Sequence, residues 1–373
     1  MSAVDGQRYI ALLDLDAFYA SVEVLEEPSL AGKPLLIGGS PTSRGVVAAA
    51  SYEARRYGCH SAMPMARAVR LCPEASVLPP RFHLYREYSG LVMDILQRES
   101  GVIQQMSIDE AYVDLTPVSS DMQEAVGRAH RMQGRIRVDL GLPCSVGIAS
   151  NKTVAKVACE TGKPGGFVVV EPGTEAAFLA DLDVRSLPGI GPRSTERLNA
   201  HGFQTLGQVA AASPEALTTV LGPWGAALKR RAQGEDPSPV EGGRETKSVS
   251  AEETFGEDVS VRETLADELL RMAERVSRSL ERHGLVGRTV TLKLRLADFT
   301  TITRSTSRDN ATAHADAILA DALHLLDANW EPRTNVRLIG VGVSNLRPVQ
   351  ASGQLALDMD TGRTEDQGFA AAQ

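Results

Sequence analysis

The sequence predicts an α+β multidomain chain in which a βαββαβ unit occurs twice, once on each side of a small helical region. Three observations carry this. Residues 9–19, YIALLDLDAFY, read as an apolar strand with Asp14 and Asp16 inside it. Residues 102–115, VIQQMSIDEAYVDL, set two short apolar runs around the adjacent acids Asp109 and Glu110, the pattern of a β-hairpin bent at its carboxylates. Beyond residue 245, strand-periodic and helix-periodic segments recur in the same order.

Composition narrows the classes. At 373 residues the chain is too long for one core, and roughly two to four domains are expected. Cys59, Cys72, Cys144 and Cys159 have neither CxxC nor Cys/His ligand spacing, so neither a zinc site nor a disulfide framework is expected, and the thiols should be reduced. No apolar run is long enough to cross a bilayer, and MSAVDGQR lacks the regions of a signal peptide, so a cytosolic protein without a membrane partner is expected. A net charge of −8 excludes a generally basic coat; any nucleic-acid surface must come from local segregation of charge.

In chain order, the strand at 10–16 leads through Ala17-Phe18-Tyr19 to Pro28 and a small separate lobe ending near residue 81. Inside the lobe, strands are expected at 34–38 and 45–50, joined by the turn-rich 39–44. SYEARRYG follows, with Tyr52 and Arg55 one helical turn apart. A helix begins at Phe82, striped by Tyr85, Tyr88, Leu91 or Val92, and Ile95; after the acidic hairpin a second carries Ala125, Ala129, Met132 and Ile136, and residues 144–149 form an apolar strand. This spells βαββαβ, a four-stranded sheet backed by two helices in which the first strand and the hairpin are central neighbours, so Asp14 and Asp109 meet at one edge. A helix from near Asn151 ends in the turn Thr161-Gly162-Lys163-Pro164-Gly165-Gly166, which leads into a strand at 167–170. Residues 172–234 read as a small helical region containing LPGIGPRSTERL, with Trp224 in its core. GEDPSPVEGG at 234–243 has the composition of a linker.

The second unit is expected to contain strands at 245–252, 288–296, 300–307 and 336–343. Its helices are one striped by Leu265, Leu269, Met272, Val276 and Leu280 and one at 315–329. In its hairpin, Val290, Leu292, Leu294 and Leu296 alternate with Thr289, Thr291, Lys293 and Arg295, giving a greasy face and a basic one. Arg304, Arg308 and Lys247 add cations near this sheet, while the acids sit mostly on the helices. The tail from Arg347 is polar, with the short apolar element QLALDM inside it.

These residues have a chemical reading. A strand-borne Asp14 beside Asp109 and Glu110 can hold two Mg2+ ions roughly 3.5–4 Å apart; taken alone, Asp109 and Glu110 read as a solvated acidic turn in preference to a site. Tyr52 and Arg55 can grip one anion, or Arg55 can simply stack on its helix neighbour. Lys163 can aim an ammonium at a phosphate or be solvated. The turn at Gly189 and Gly191 lets backbone amides approach a phosphate without reading sequence, the helix-hairpin-helix pattern, or is an ordinary turn between helices. Lys293, Arg295, Arg304 and Lys247 can bind a phosphate backbone or protect a sheet edge.

The segments YIALLDLDAFYASVE, VVAAASYEARRYG, SIDEAYVDL, GKPGG, LPGIG and KSVS, in this order and spacing, resemble the Y-family DNA polymerases of the DinB type, from Tyr9 to about Arg347. The resemblance implies a palm (1–25 and 82–171), fingers (26–81), a helix-hairpin-helix thumb (172–233), a linker (234–244), a little finger (245–347) and a tail (348–373). It implies a translesion DNA-directed DNA polymerase of low fidelity without proofreading, in the bacterial cytosol or nucleoid. Asp14, Asp109, Glu110 and the Leu15 carbonyl match positions that hold two Mg2+ ions, with Mn2+ as a substitute. Tyr52, Arg55 and Lys163 match triphosphate contacts, and Tyr19 the aromatic gate beneath the sugar. Gln354, Leu355, Leu357 and Met359 match a sliding-clamp motif, although the chain continues past it. Ala49 stands where many relatives carry a Thr that bonds the triphosphate. Asp16 matches an acid that is not a ligand and reads as structural. The implied partners are primer-template DNA, deoxynucleoside triphosphates and a sliding clamp, with the protein a monomer. The alternatives are a non-catalytic Y-family scaffold in damage tolerance, which would be expected to lack one of the three acids, and another two-metal enzyme such as a nucleotide cyclase, which has no use for the thumb turn.

Overall fold

The computed structural model describes residues 7–100, 102–243 and 245–349; the QLALDM motif, with Gln354, Leu355, Leu357 and Met359, lies outside the described residues. The chain divides into two compact units between residues 245 and 246.

In the first unit, β1 (Ile10–Leu15) is buried throughout, and alternation sends Ala11, Leu13 and Leu15 into one core while Ile10 and Leu12 enter another. The following helix, α1 (Phe18–Glu26), starts from Ala17 at φ 46°, a left-handed conformation that turns the chain sharply just after the two strand acids. The lobe comprises β2 (Leu35–Gly38), β3 (Val47–Ala50), α2 (Tyr52–Arg55), α3 (Met65–Leu71) and β4 (Ser76–Leu78). Its sheet has the order β3-β2-β4, with β4 parallel to β2; this third strand is too short to show a period in sequence. Ser51 caps α2 by accepting from the Ala54 amide, and its hydroxyl also accepts from the Leu35 amide, tying the helix start to β2.

Returning from the lobe, α4 (Phe82–Glu99) buries Tyr85, Val92 and Ile95 and leaves Leu91 exposed. The hairpin is β5 (Val102–Gln105) and β6 (Glu110–Asp114), so its bend occupies residues 106–109. Next come α5 (Met122–Leu140), capped by Asp121, β7 (Cys144–Ala149), α6 (Lys152–Gly162), capped by Asn151, and β8 (Phe167–Val169). The sheet order is β5-β6-β1-β7-β8: five strands rather than the four expected, because β8 adds in parallel to β7. Its two faces belong to different cores, one with α1, α4 and α5 and the other with α6 and the helical region. At Gly147 of β7 a Cβ would lie 2.2 Å from the Ala155 carbonyl oxygen, so only glycine lets α6 come this close.

The helical region contains α7 (Glu175–Ala180), α8 (Pro192–Ala200), α9 (Leu206–Ala211), α10 (Pro214–Leu221) and α11 (Gly225–Ala232). Trp224 packs against its core, as its position in the sequence suggests. The linker-like segment is anchored. Arg8 donates to the Asp236 and Ser238 carbonyls, Lys152 to Pro239, and the Thr153 amide and hydroxyl to the Asp236 carboxylate, while Val240 is buried.

The second unit is β9 (Ser248–Val259), α12 (Arg262–Arg282), β10 (Leu285–Leu296), β11 (Thr301–Thr312), α13 (Ala315–Asn329) and β12 (Val336–Pro348), with sheet order β11-β10-β12-β9. The whole stripe from Leu265 to Leu280 on α12 is buried against Val290, Leu292, Leu294 and β12.

Candidate active site

Asp14 and Glu110 are register partners across β1 and β6, so both side chains leave the same face at the same end of the sheet. The Leu15 amide donates to the Asp109 carbonyl at 2.9 Å, fixing the bend of the hairpin beside the strand. The face is the one covered by α6. Lys163 Nζ lies 2.8 Å from Asp14 Oδ2 and 2.8 Å from Glu160 Oε1, and Lys156 Nζ lies 2.7 Å from Glu110 Oε2. Asp109 accepts from the Ser107 hydroxyl.

Burial dominates the electrostatics. It pushes the Asp14 carboxyl up to about 6 against the pull of Lys163, and Asp109 adds to the rise. Burial works the other way on Lys163, but Asp14 and Glu160 outweigh it and hold the ammonium above its ordinary range. A buried carboxylate that charges only reluctantly, with cations of the protein drawn onto it, is a place where positive charge is wanted. Three carboxylates near the Leu15 backbone are hard oxygen donors of the kind that suit Mg2+ or Mn2+. With Asp14 and Glu110 turned onto lysines, no three His, Cys, Asp or Glu side chains converge as a ready-made metal cage among the described residues.

Around these acids stand the other site residues of the sequence reading. Tyr52 and Arg55 project from α2; the Arg55 guanidinium lies 4.6 Å over the Tyr52 ring and its Nε donates to the Ala50 carbonyl, so the stacked arrangement is the one present. Tyr52 donates to Asp16 Oδ1 at 3.0 Å, and burial followed by Asp16 pushes its phenol up to about 12. Tyr19, half-buried at the start of α1, stacks on Tyr85 at 4.1 Å and meets the edge of Phe82 at 6.0 Å. Burial, then Asp109, raises its phenol. Ala49 is buried in β3 opposite Ile37.

One residue escaped the sequence reading. Lys156 pairs with Glu110, and the signal available for it was the i, i+4 run Lys152, Lys156, Glu160 on the helix that follows a buried strand. Asp16, expected to be structural, is a hub that accepts from Tyr52, Ser145 and the Gly165 amide.

The surfaces assigned to DNA are uneven. Gly189, at φ 92°, and Gly191 are exposed at the turn into α8, with Trp224 and Arg231 behind Gly189. On the second unit, Lys293 and Arg295 leave the open face of the sheet with Thr291, Thr303 and Ser305. Lys293 is paired there with Glu252 at 2.7 Å, so one acid does sit on this face. Arg304 corrects the sequence grouping: it is the register partner of Leu292, on the helix-covered side, and donates to Asn329 at the end of α13. Arg308 likewise is held by Asp321. Lys247 is exposed just before β9.

Known proteins share this layout. Residues 13–160 match the impB/mucB/samB family, residues 172–203 the IMS family HHH motif, and residues 246–357 the impB/mucB/samB family C-terminal domain. DNA polymerase IV of Streptomyces coelicolor is 44% identical over 337 residues, 90% of this chain and 70% of that protein. DNA polymerase IV of Alkalilimnicola ehrlichii is 42% identical over 355 residues, 94% of this chain and 99% of that protein. Among solved structures, the Y-family DNA polymerase chimera Dbh-Dpo4(243-245)-Dbh matches 90% of this chain and 98% of that one at a TM-score of 0.82 and 27% identity. DinB from Sulfolobus solfataricus matches the same shares at 0.64 and 28%.

The sheet-end carboxylates and the helix-hairpin-helix region together define the class, a palm-type DNA polymerase. Within it, the chain belongs to the Y-family DNA polymerases of the DinB type. It is a DNA-directed DNA polymerase of the translesion type and, as a member of that family, depends on divalent metal ions.

Proposed function

We propose that Asp14, Asp109 and Glu110, with the Leu15 carbonyl, hold two Mg2+ ions and that the chain extends a primer 3′ end with deoxynucleoside triphosphates opposite a DNA template. The observation that carries this is the Asp14–Glu110 register pair, with the Asp109 backbone bonded to Leu15. When bound, the ions supply the positive charge that acidifies the primer 3′-hydroxyl and offsets charge on the departing pyrophosphate. Tyr52, Arg55 and Lys163 grip the triphosphate, and Lys163 leaves Asp14 to do so once that carboxylate has another cation. Tyr19, stiffened by Tyr85, lies under the sugar and rejects a 2′-hydroxyl. Gly189, Gly191, Lys247, Lys293 and Arg295 contact the DNA backbone, and the tail residues Gln354, Leu355, Leu357 and Met359 bind a sliding clamp.

In keeping with the translesion class and a small fingers lobe, synthesis is of low fidelity, without proofreading, by a monomer acting in the bacterial cytosol or nucleoid. Mn2+ substitutes for Mg2+. Primer extension on intact and abasic templates, with each nucleotide and either metal, tests the reading; failure to extend an intact template contradicts it.

A further inference from the structure

Asp16 is 2% exposed, and a carboxylate this buried must find donors or cost several kcal/mol. Its donors come from three separate parts of the chain. Tyr52 Oη of the lobe donates to Oδ1 at 3.0 Å, the Ser145 hydroxyl of β7 reaches both oxygens at 3.0 Å, and the Gly165 amide donates to Oδ2 at 2.8 Å. Ser145 is fully buried. The backbone of Asp16 is fixed as well, its amide donating to the Pro143 carbonyl and its carbonyl accepting from Ser21.

Two of these donors sit beside residues of the nucleotide grip. Tyr52 carries the Arg55 guanidinium on its ring, and Gly165 is two residues past Lys163 in the turn that ends α6. The lobe and the turn are 36 and 149 residues from Asp16 in sequence, and one carboxylate ties both to the palm.

We propose that Asp16 is a positioning residue of the nucleotide site, a single carboxylate that sets Tyr52 and the Lys163 turn at the separation the triphosphate requires. This rests on the reading of Tyr52, Arg55 and Lys163 as triphosphate contacts. Asp16 itself touches neither substrate nor metal. Its loss therefore weakens nucleotide binding and leaves the chemical step of bound nucleotide largely intact.

The test is single-nucleotide incorporation, with KM for the nucleotide and kcat measured for wild type, Asp16→Asn, Tyr52→Phe, Lys163→Met and the Asp16→Asn/Tyr52→Phe double variant, and a melting curve for each. Asp16→Asn keeps shape but cannot accept from all three donors, and it is expected to raise KM about tenfold or more with kcat within about threefold. Because Tyr52→Phe and Asp16→Asn break the same Tyr52–Asp16 bond, Tyr52→Phe raises KM alone and the double variant raises it by less than the product of the two single effects. A raised KM in Tyr52→Phe and Lys163→Met beside an unchanged KM in Asp16→Asn overturns the inference alone. An unchanged KM in Tyr52→Phe and Lys163→Met overturns the triphosphate reading and the inference with it. Should Asp16→Asn fail to fold, Ser145→Ala removes one donor to the Asp16 carboxylate; an increase of KM of about threefold with kcat unchanged supports the role, and an unchanged KM overturns it.

Discussion

Asp14 faces Glu110 across the antiparallel pair of β1 and β6, and each carboxylate is paired with a lysine: Lys163, in the turn just past α6, for Asp14, and Lys156 of α6 for Glu110. Like charges this close would repel, and the two ammonium groups relieve that without metal. On the two-metal reading proposed above, these cations are competitors that entering divalent ions displace.

The first prediction concerns stability. The Asp14 carboxyl is raised from its ordinary 3.8 to about 6, which corresponds to about 3 kcal/mol. A raised carboxyl stabilises the fold fully below its unfolded value and loses that contribution as pH climbs through 6. In chelator at pH 7.5, Asp14→Asn should thus melt above the wild type, with the difference vanishing near pH 4. Added Mg2+ should stabilise the wild type much more than the variant. Melting curves at both pH values decide it, and a less stable Asp14→Asn in chelator at pH 7.5 counts against the buried, reluctantly charged acid.

Sugar choice gives the second. Tyr19 is held by a stack on Tyr85 at 4.1 Å, so it is a packed aromatic, and in the proposed reading it also lies beneath the sugar. Tyr19→Ala should cost about 1–3 kcal/mol of stability from lost stacking and burial. Ribonucleotide incorporation should nevertheless rise strongly relative to deoxynucleotide, since a clash is removed. Matched ribo- and deoxynucleotide assays measure the ratio; an unchanged ratio removes Tyr19 from the sugar site.

How much of this was legible in the sequence differs residue by residue. Asp14 stood out because a charge interrupts an otherwise buried strand, and the α12 stripe because its period matches a helix. The pairing of Lys156 with Glu110 joins segments 46 residues apart and leaves only a weak helical spacing as its trace. Arg304 was misgrouped because a side chain's face depends on register; Ile302, the apolar residue two positions before it, carried the signal, being the partner of Leu294. The segment at 234–243 has a linker's composition, and composition does not say that Arg8, Lys152 and Thr153 bond to it.

The third prediction concerns DNA grip. The Lys293–Glu252 pair is exposed enough to be worth only about 0–1 kcal/mol, so a phosphate can replace Glu252 cheaply. Changing Lys293 and Arg295 together to alanine should flatten the salt dependence of DNA binding by up to about two units of slope, whereas Glu252→Gln should tighten binding and steepen the slope. Titrations at several salt concentrations measure both, and slopes unmoved by either change turn this face away from DNA.

The fourth concerns the tail. A chain lacking residues 354–373 should extend short primers as the full chain does and lose stimulation by a sliding clamp, since every core described ends before it. Equal stimulation of the two chains leaves QLALDM without a role in clamp binding.

The central claim is that three carboxylates at the end of one sheet run the reaction, and Asp109 tests it most cleanly. Its backbone carbonyl, which holds Leu15, survives substitution, and its side chain is only half-buried at the bend. Single-turnover primer extension with Mg2+ by Asp109→Ala, alongside its melting temperature and DNA affinity, is the measurement. The predicted result is incorporation reduced by about three orders of magnitude or more, with folding and DNA binding close to wild type; extension at the wild-type rate would contradict the assignment.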